Sequence, residues 1–188
     1  MSIVAMEQRK KIHPHKFTLW IGIGSILMMF AGLTSAYIVK RNQANWRTFE
    51  LPLAFWYSTA AIVLSSITLF LAGRSFKERE MAKYRKFVTV TIILGVLFIV
   101  LQAIGFNQLV KQGVGLGKTV SVDFLWVIVL LHAAHVIGGI IALLVLFVKA
   151  FSVKTRNYST VPVEVTSTYW HFVDILWIYL LIFLIMIR

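Results

Sequence analysis

The chain has 188 residues, 59% of them hydrophobic and 14% charged, with 19 Lys and Arg against 7 Asp and Glu. An ordinary globular domain is about 25% charged, so this balance excludes a soluble body and marks an integral membrane protein. The absence of cysteine excludes disulfides, thiolate metal sites and iron–sulfur clusters, and the net charge of +12 does not make a nucleic-acid binder, because no aromatic–basic surface lies outside the apolar runs.

A spanning helix needs about 20 apolar residues. Five runs meet that length, at 17–39, 52–73, 87–110, 122–148 and 168–187, joined by connections of about 11 to 19 residues. The expected architecture is all-α: a short segment 1–16, then a five-helix membrane domain over 17–188. The first run exceeds the 7–15-residue core of a signal peptide and reads as a retained span. It carries a row of small residues, Gly24, Gly32 and Ala36, interrupted by Met28. Such rows let membrane helices approach closely.

The second run holds Ser65 and Ser66, and the third holds Gln102 and Asn107. Residues 111–118, KQGVGLGK, lack the Ser or Thr that a phosphate loop needs after its Lys and read as a flexible connection. The fourth run contains His132 and His135, spaced to share one helix face, and a second small-residue row, Ala134, Gly138 and Ala142. An HxxH pair can ligate zinc, iron or haem, but alone it is a weak signal. In the fifth run His171 and Asp174 stand one turn apart between Trp170 and Trp177. Ionisable groups at membrane depth are costly and need partners.

Basic residues alternate between connections. Arg9, Lys10, Lys11, Lys16, then Arg74, Lys77, Arg79, Lys83, Arg85, Lys86, then Lys149, Lys154 and Arg156 make thirteen on one side; Lys40, Arg41, Arg47, Lys111, Lys118 and Arg188 make six on the other. The excess marks the cytoplasmic side, so the N-terminus is expected in the cytoplasm and the C-terminus outside. Trp20, Trp46, Trp56, Tyr57, Trp126, Tyr169 and Trp170 fall near run ends, as an interfacial aromatic belt would.

Depth tests whether the ionisable residues form one site. At 1.5 Å per residue, His135 lies roughly 20 Å above the end of the fourth run, while His171 and Asp174 lie roughly 5 and 9 Å above the start of the fifth. The two pairs are thus expected in different layers, which argues against a four-ligand metal site. Gln102 is expected level with the histidine pair, and Ser65 and Ser66 near Asp174. Polar contacts that set helix register are the expected role. No nucleophile, base and orienter set is visible, so no catalytic residue, metal ligand or cofactor site is assigned.

Five segments carry a family resemblance, in order along nearly the whole chain. SILMMFAGLTSAY (25–37), LPLAFWYSTAAIVLSS (51–66), TIILGVLFIVLQ (91–102), HAAHVIGG (132–139) and YWHFVDILW (169–177) are similar to subunit III of haem–copper terminal oxidases, in its short five-helix bacterial form. The resemblance implies a non-redox subunit of cytochrome c oxidase in the bacterial cytoplasmic membrane. Such a subunit packs on catalytic subunit I and on subunit II, which hold the haem and copper. It binds phospholipid and supports proton uptake and turnover. On that reading His132, His135, His171, Asp174, Gln102 and Trp170 are candidate lipid-cleft or interface residues. Two family glutamates are replaced here, by Ile26 and Gly105. A quinol oxidase or nitric oxide reductase relative would use the same fold. A stand-alone intramembrane metal or haem protein is an alternative from another class, and a small transporter is weaker still, lacking inverted repeats.

Overall fold

The structure is a computed structural model describing residues 14–40, 51–115, 117, 120–151 and 159–187, without the side chains of 121 and 187. Of the N-terminal segment 1–16, residues 1–13 lie outside the described residues, as do Trp46 and the basic residues Arg41, Arg47, Lys118, Lys154, Arg156 and Arg188.

The described residues form five helices: α1 (Pro14–Lys40), α2 (Leu53–Lys77), α3 (Met81–Lys111), α4 (Val120–Phe151) and α5 (Val161–Ile187). Each is long and apolar enough to cross a membrane, and no strand occurs among the described residues. The expected all-α, five-span bundle is the observed one. Backbone amides cannot be left unpaired in lipid, which is why every span is a helix.

The turns follow from local chemistry. Pro52 precedes α2 in an extended conformation, and its carbonyl accepts from Phe55 N–H at 3.1 Å. The α2–α3 turn is tight: Arg79 takes a left-handed φ of 60°, Glu80 N–H donates to Ser75 O and Arg79 N–H to Phe76 O. That double bond is a Schellman stop, in which helix-end carbonyls find donors. The same stop ends α3, where Gly113 at φ 89° lets Val114 N–H reach Leu109 O and Gly113 N–H reach Val110 O. Of the connection expected as a flexible link, the described residues 111–115 begin with this stop. Val114 is buried, and its carbonyl accepts from Trp126 Nε1 at 3.2 Å. Helix α5 starts at Val161 rather than 168, with Pro162 in the first turn, where a missing N–H costs nothing.

α2 packs closely on α3, and α5 lies against α1, α2 and α4. Among the described residues α1 approaches α4 and α5 but makes no close backbone approach to α2. Between α1 and α2, with α5 as its floor, runs a groove of about 580 Å³. Of the described cations, Lys16, Arg74, Lys77, Arg79, Lys83, Arg85, Lys86 and Lys149 lie at one end of the bundle, Lys40 and Lys111 at the other.

Trp170 locks the register. Its ring is fully buried, and ideal Cβ atoms at Gly95 and Gly139 would each approach it to 2.9 Å. The small residues that matter are thus Gly95 on α3 and Gly139 on α4. Of the rows expected from spacing, Gly24 and Gly32 have nothing within 4 Å, and Ala134 and Gly138 are exposed. The aromatic belt is also corrected at one position: Trp20, Trp56 and Tyr57 are exposed at helix ends, but Trp170 is a core residue. Gly139→Val should push the ring against Gly95, which leaves it no room to yield. Overpacking of this kind costs about 1–3 kcal/mol. A clearly lower thermal unfolding midpoint in detergent is expected, while Gly138→Ala, whose Cβ would meet only Tyr169 Oη at 3.7 Å, should leave it unchanged.

Candidate functional site

Hydrogen bonds from α5 reach every other helix of the core except α3, which it meets through rings. Trp170 Nε1 donates to Ser65 Oγ at 3.1 Å and Trp177 Nε1 to Thr59 Oγ1 at 2.9 Å, both on α2. The Tyr169 hydroxyl donates to His135 O on α4 at 3.1 Å. Tyr179 Oη and Thr34 Oγ1 share a 2.9 Å bond to α1. Ser66 Oγ is bonded to His171 Nδ1 across the α2–α5 seam. Ser65 and Ser66, expected near Asp174, bond Trp170 and His171 in the turn before it, and Ser66 also acts on the Asp174 carboxyl.

The depth argument needs correction. His132 stacks on Trp177, with ring centroids 5.4 Å apart, and Trp170 lies on Gly139. These two contacts place Asp174, midway between Trp170 and Trp177, opposite His135. Asp174 and His135 share a level, with His132 about one turn to one side of it and His171 about one turn to the other, so the two pairs adjoin and are not in widely separated layers. The error lies in where α5 begins. Hydropathy starts it at 168, but its first two turns, VPVEVTS, are helical and lie opposite the end of α4. About seven residues of offset correspond to roughly 10 Å.

A shared level does not make a shared site. His135 Nδ1 lies 2.6 Å from Leu131 O on its own helix; a carbonyl only accepts, so that nitrogen carries the proton. His171 is turned to Ser66, and His132 is packed among Trp177, Phe98 and Phe30. Among the described residues, no three His, Asp or Glu side chains gather as a metal-ligand set.

The remaining candidates are interior residues. Trp170 is wholly buried, and His132 and Asp174 nearly so. Gln102, half-buried, donates through Nε2 to Ser58 Oγ at 2.9 Å. The Asp174 carboxyl oxygens make no well-formed hydrogen bond; the Ser66 hydroxyl, already engaged by His171, is the polar group that acts on them.

The residues that sequence reasoning missed lie at the mouth of the α1–α2 groove. Glu164 on α5 binds Lys16 of α1 at 2.6 Å and Lys77 of α2 at 3.6 Å, so one carboxylate ties together two helices that do not pack on each other. Arg74 adds a third cation, paired to Glu78 at 2.9 Å, and Leu19, Trp20 and Phe70 make the walls apolar. The signal was present: an acid in the first turn of the last helix facing a basic cluster.

The two positions at which the resemblance implies glutamates also find places. Ile26 packs partly buried against the core. At Gly105 an ideal Cβ would lie 3.1 Å from the Phe55 ring, so the space a glutamate would need holds an aromatic side chain from α2.

Comparison with known proteins agrees with this architecture. A family model described as Cytochrome c oxidase subunit III matches residues 42–187. A probable cytochrome c oxidase subunit 3 from Nocardia farcinica is 32% identical over 163 residues, 84% of this chain and 80% of that one. Cytochrome c oxidase subunit 3 of a Bacillus species is 25% identical over 166 residues, 86% of this chain and 80% of its own. Cytochrome bo(3) ubiquinol oxidase subunit 3 of Buchnera aphidicola is 25% identical over 167 residues, 86% and 81% of the two chains. With five spanning helices and this match over most of its length, the chain belongs to the cytochrome c oxidase subunit III family, as a multi-pass subunit of a bacterial haem–copper oxidase.

Proposed function

We propose that the chain is a non-redox subunit that packs on catalytic subunit I, and on subunit II, of an oxidase fed by cytochrome c. The haem and copper belong to those partners. In support, Gln102, Trp170 and Trp177 each donate a hydrogen bond to α2, and no ligand set forms among the described residues. The membrane is the bacterial cytoplasmic membrane, with the N-terminus inside, and the cation-rich end of the bundle supports that orientation. A quinol-fed assembly is the second reading, favoured by the similarity to a ubiquinol oxidase subunit.

The lipid-binding role belongs to the α1–α2 groove. Its mouth offers Lys16, Arg74 and Lys77 for a phosphate, and its walls offer Leu19, Trp20 and Phe70 for acyl chains. Exposed ion pairs contribute little net stability, so a lipid phosphate can displace Glu164 from its lysines at small cost. His132, His135, His171, Asp174, Gln102 and Trp170 hold the helices that frame this groove and the face toward the catalytic subunit. Through that frame the subunit sustains proton uptake and turnover.

Three outcomes test the reading. A tagged chain purified in mild detergent should bring a large haem-containing subunit with it; a chain that purifies alone and shows its own Soret band would overturn the assignment. The Lys16→Glu/Lys77→Glu pair should strip bound phospholipid from the purified complex, seen by lipid mass spectrometry as at least a several-fold loss, with assembly intact. Ser66→Ala and His171→Ala each remove one cross-helix bond. Such bonds are worth about 0.6 kcal/mol on average in membranes, so assembly should persist while inactivation during prolonged turnover quickens.

A further inference from the structure

A second cavity, of about 240 Å³, lies between α3, α4 and α5, and two polar side chains on its wall have hydrogen-bonding atoms that no described residue satisfies. They are Gln102, through Oε1, and His132, through both ring nitrogens. The amide orientation is determined by its neighbours. Ser58 Oγ donates to Phe55 O at 2.9 Å, so it must accept from Gln102 Nε2, which leaves Oε1 facing away from that bond. His132 is only 2% exposed. As a neutral ring it has one nitrogen that donates and one that accepts.

The two side chains converge. Phe98 lies edge-on to His132 at 6.3 Å and Phe106 lies on Trp126 at 5.4 Å, so Gln102 sits about one turn, roughly 6 Å, from the His132 level. Helix side chains lean toward their own N-terminus. Because α3 and α4 are antiparallel, Gln102 and His132 therefore lean toward each other.

We propose that this cavity is a binding site for a neutral hydroxyl oxygen held between Gln102 Oε1 and the His132 ring. The chemistry selects that group. Gln102 Oε1 needs a donor, and a hydroxyl can donate its one proton to it while accepting from the imidazole N–H. A bare carbonyl has no proton to give, and an ion would lie uncompensated among Phe98, Phe106, Trp126 and Trp177. Two sources supply such an oxygen. One is water, about 30 Å³ per molecule, which needs two to four polar partners; two side chains therefore support about one water in this space. The other is the hydroxyl tip of a single-ring alcohol or phenol from the bilayer, its apolar body lying on the aromatic walls. The exposed Ala103 and Leu130 mark where such a molecule would enter. The site is separate from the α1–α2 groove and does not depend on its lipid.

High-resolution electron cryomicroscopy of the purified assembly containing the full chain tests this. Density within hydrogen-bond distance of both Gln102 and His132 is expected, as an isolated peak for water or a ring reaching toward Ala103 for an amphipath. Gln102→Met keeps the length but removes the acceptor, and should abolish that density; His132→Phe keeps the ring stack and should do the same. A parallel infrared difference spectrum in H2-18O should show a bound-water band that Gln102→Met removes, or no such band if the oxygen belongs to an amphipath that solvent extraction then recovers. Continuous acyl-chain density, no density, or density that survives Gln102→Met would overturn the proposal. If His132→Phe fails to assemble, the Gln102→Met result still decides.

Discussion

The indole of Trp170 is the constraint on which the rest of the bundle depends. It is gripped between Gly95 of α3 and Gly139 of α4, and its N–H is given to Ser65 of α2. Four helices thus meet on one rigid ring. In lipid the hydrophobic effect does not drive helices together, so close packing and interhelical hydrogen bonds must do it. A large planar side chain seated between two glycines supplies both at once. Once Trp170 is placed, helical periodicity carries Trp177 up two turns to stack on His132 and to bond Thr59, and brings Asp174 opposite His135.

Polarity is distributed by the same logic. Hydroxyls inside the bundle reach neighbouring helices or their own backbone, as with Thr34, Ser58 and Thr91. Charged side chains stay near the helix ends, where Glu164, Lys16 and Lys77 meet beside an apolar groove. Such a mouth suits a molecule that is ionic at one end and hydrocarbon at the other. The interior histidines, by contrast, are engaged with rings, a hydroxyl and a carbonyl. That division separates the residues that hold the bundle from those that can meet a lipid.

Packing fills the space at position 105. With Phe55 lying where a side chain at 105 would go, α2 and α3 gain an aromatic contact, extended by Phe106 at 5.1 Å. A side chain there would have to move the Phe55 ring. Phe55 and Gly105 fit each other.

Composition and hydropathy alone determined the membrane class, the number of spans and the alternation of basic ends, since lipid demands about 20 apolar residues per crossing whatever the packing. The ordered motifs gave the family. Hydropathy marks where lipid begins, not where a helix begins, so the polar first turns of α5 went unread and its residues were placed about two turns too shallow. The contacts of Trp170, the cavity lined by Gln102 and His132, and the choice of Lys16 and Lys77 as the partners of Glu164 were likewise not readable from spacing. Each depends on the sliding register of antiparallel helices, which only the interlocking of side chains decides.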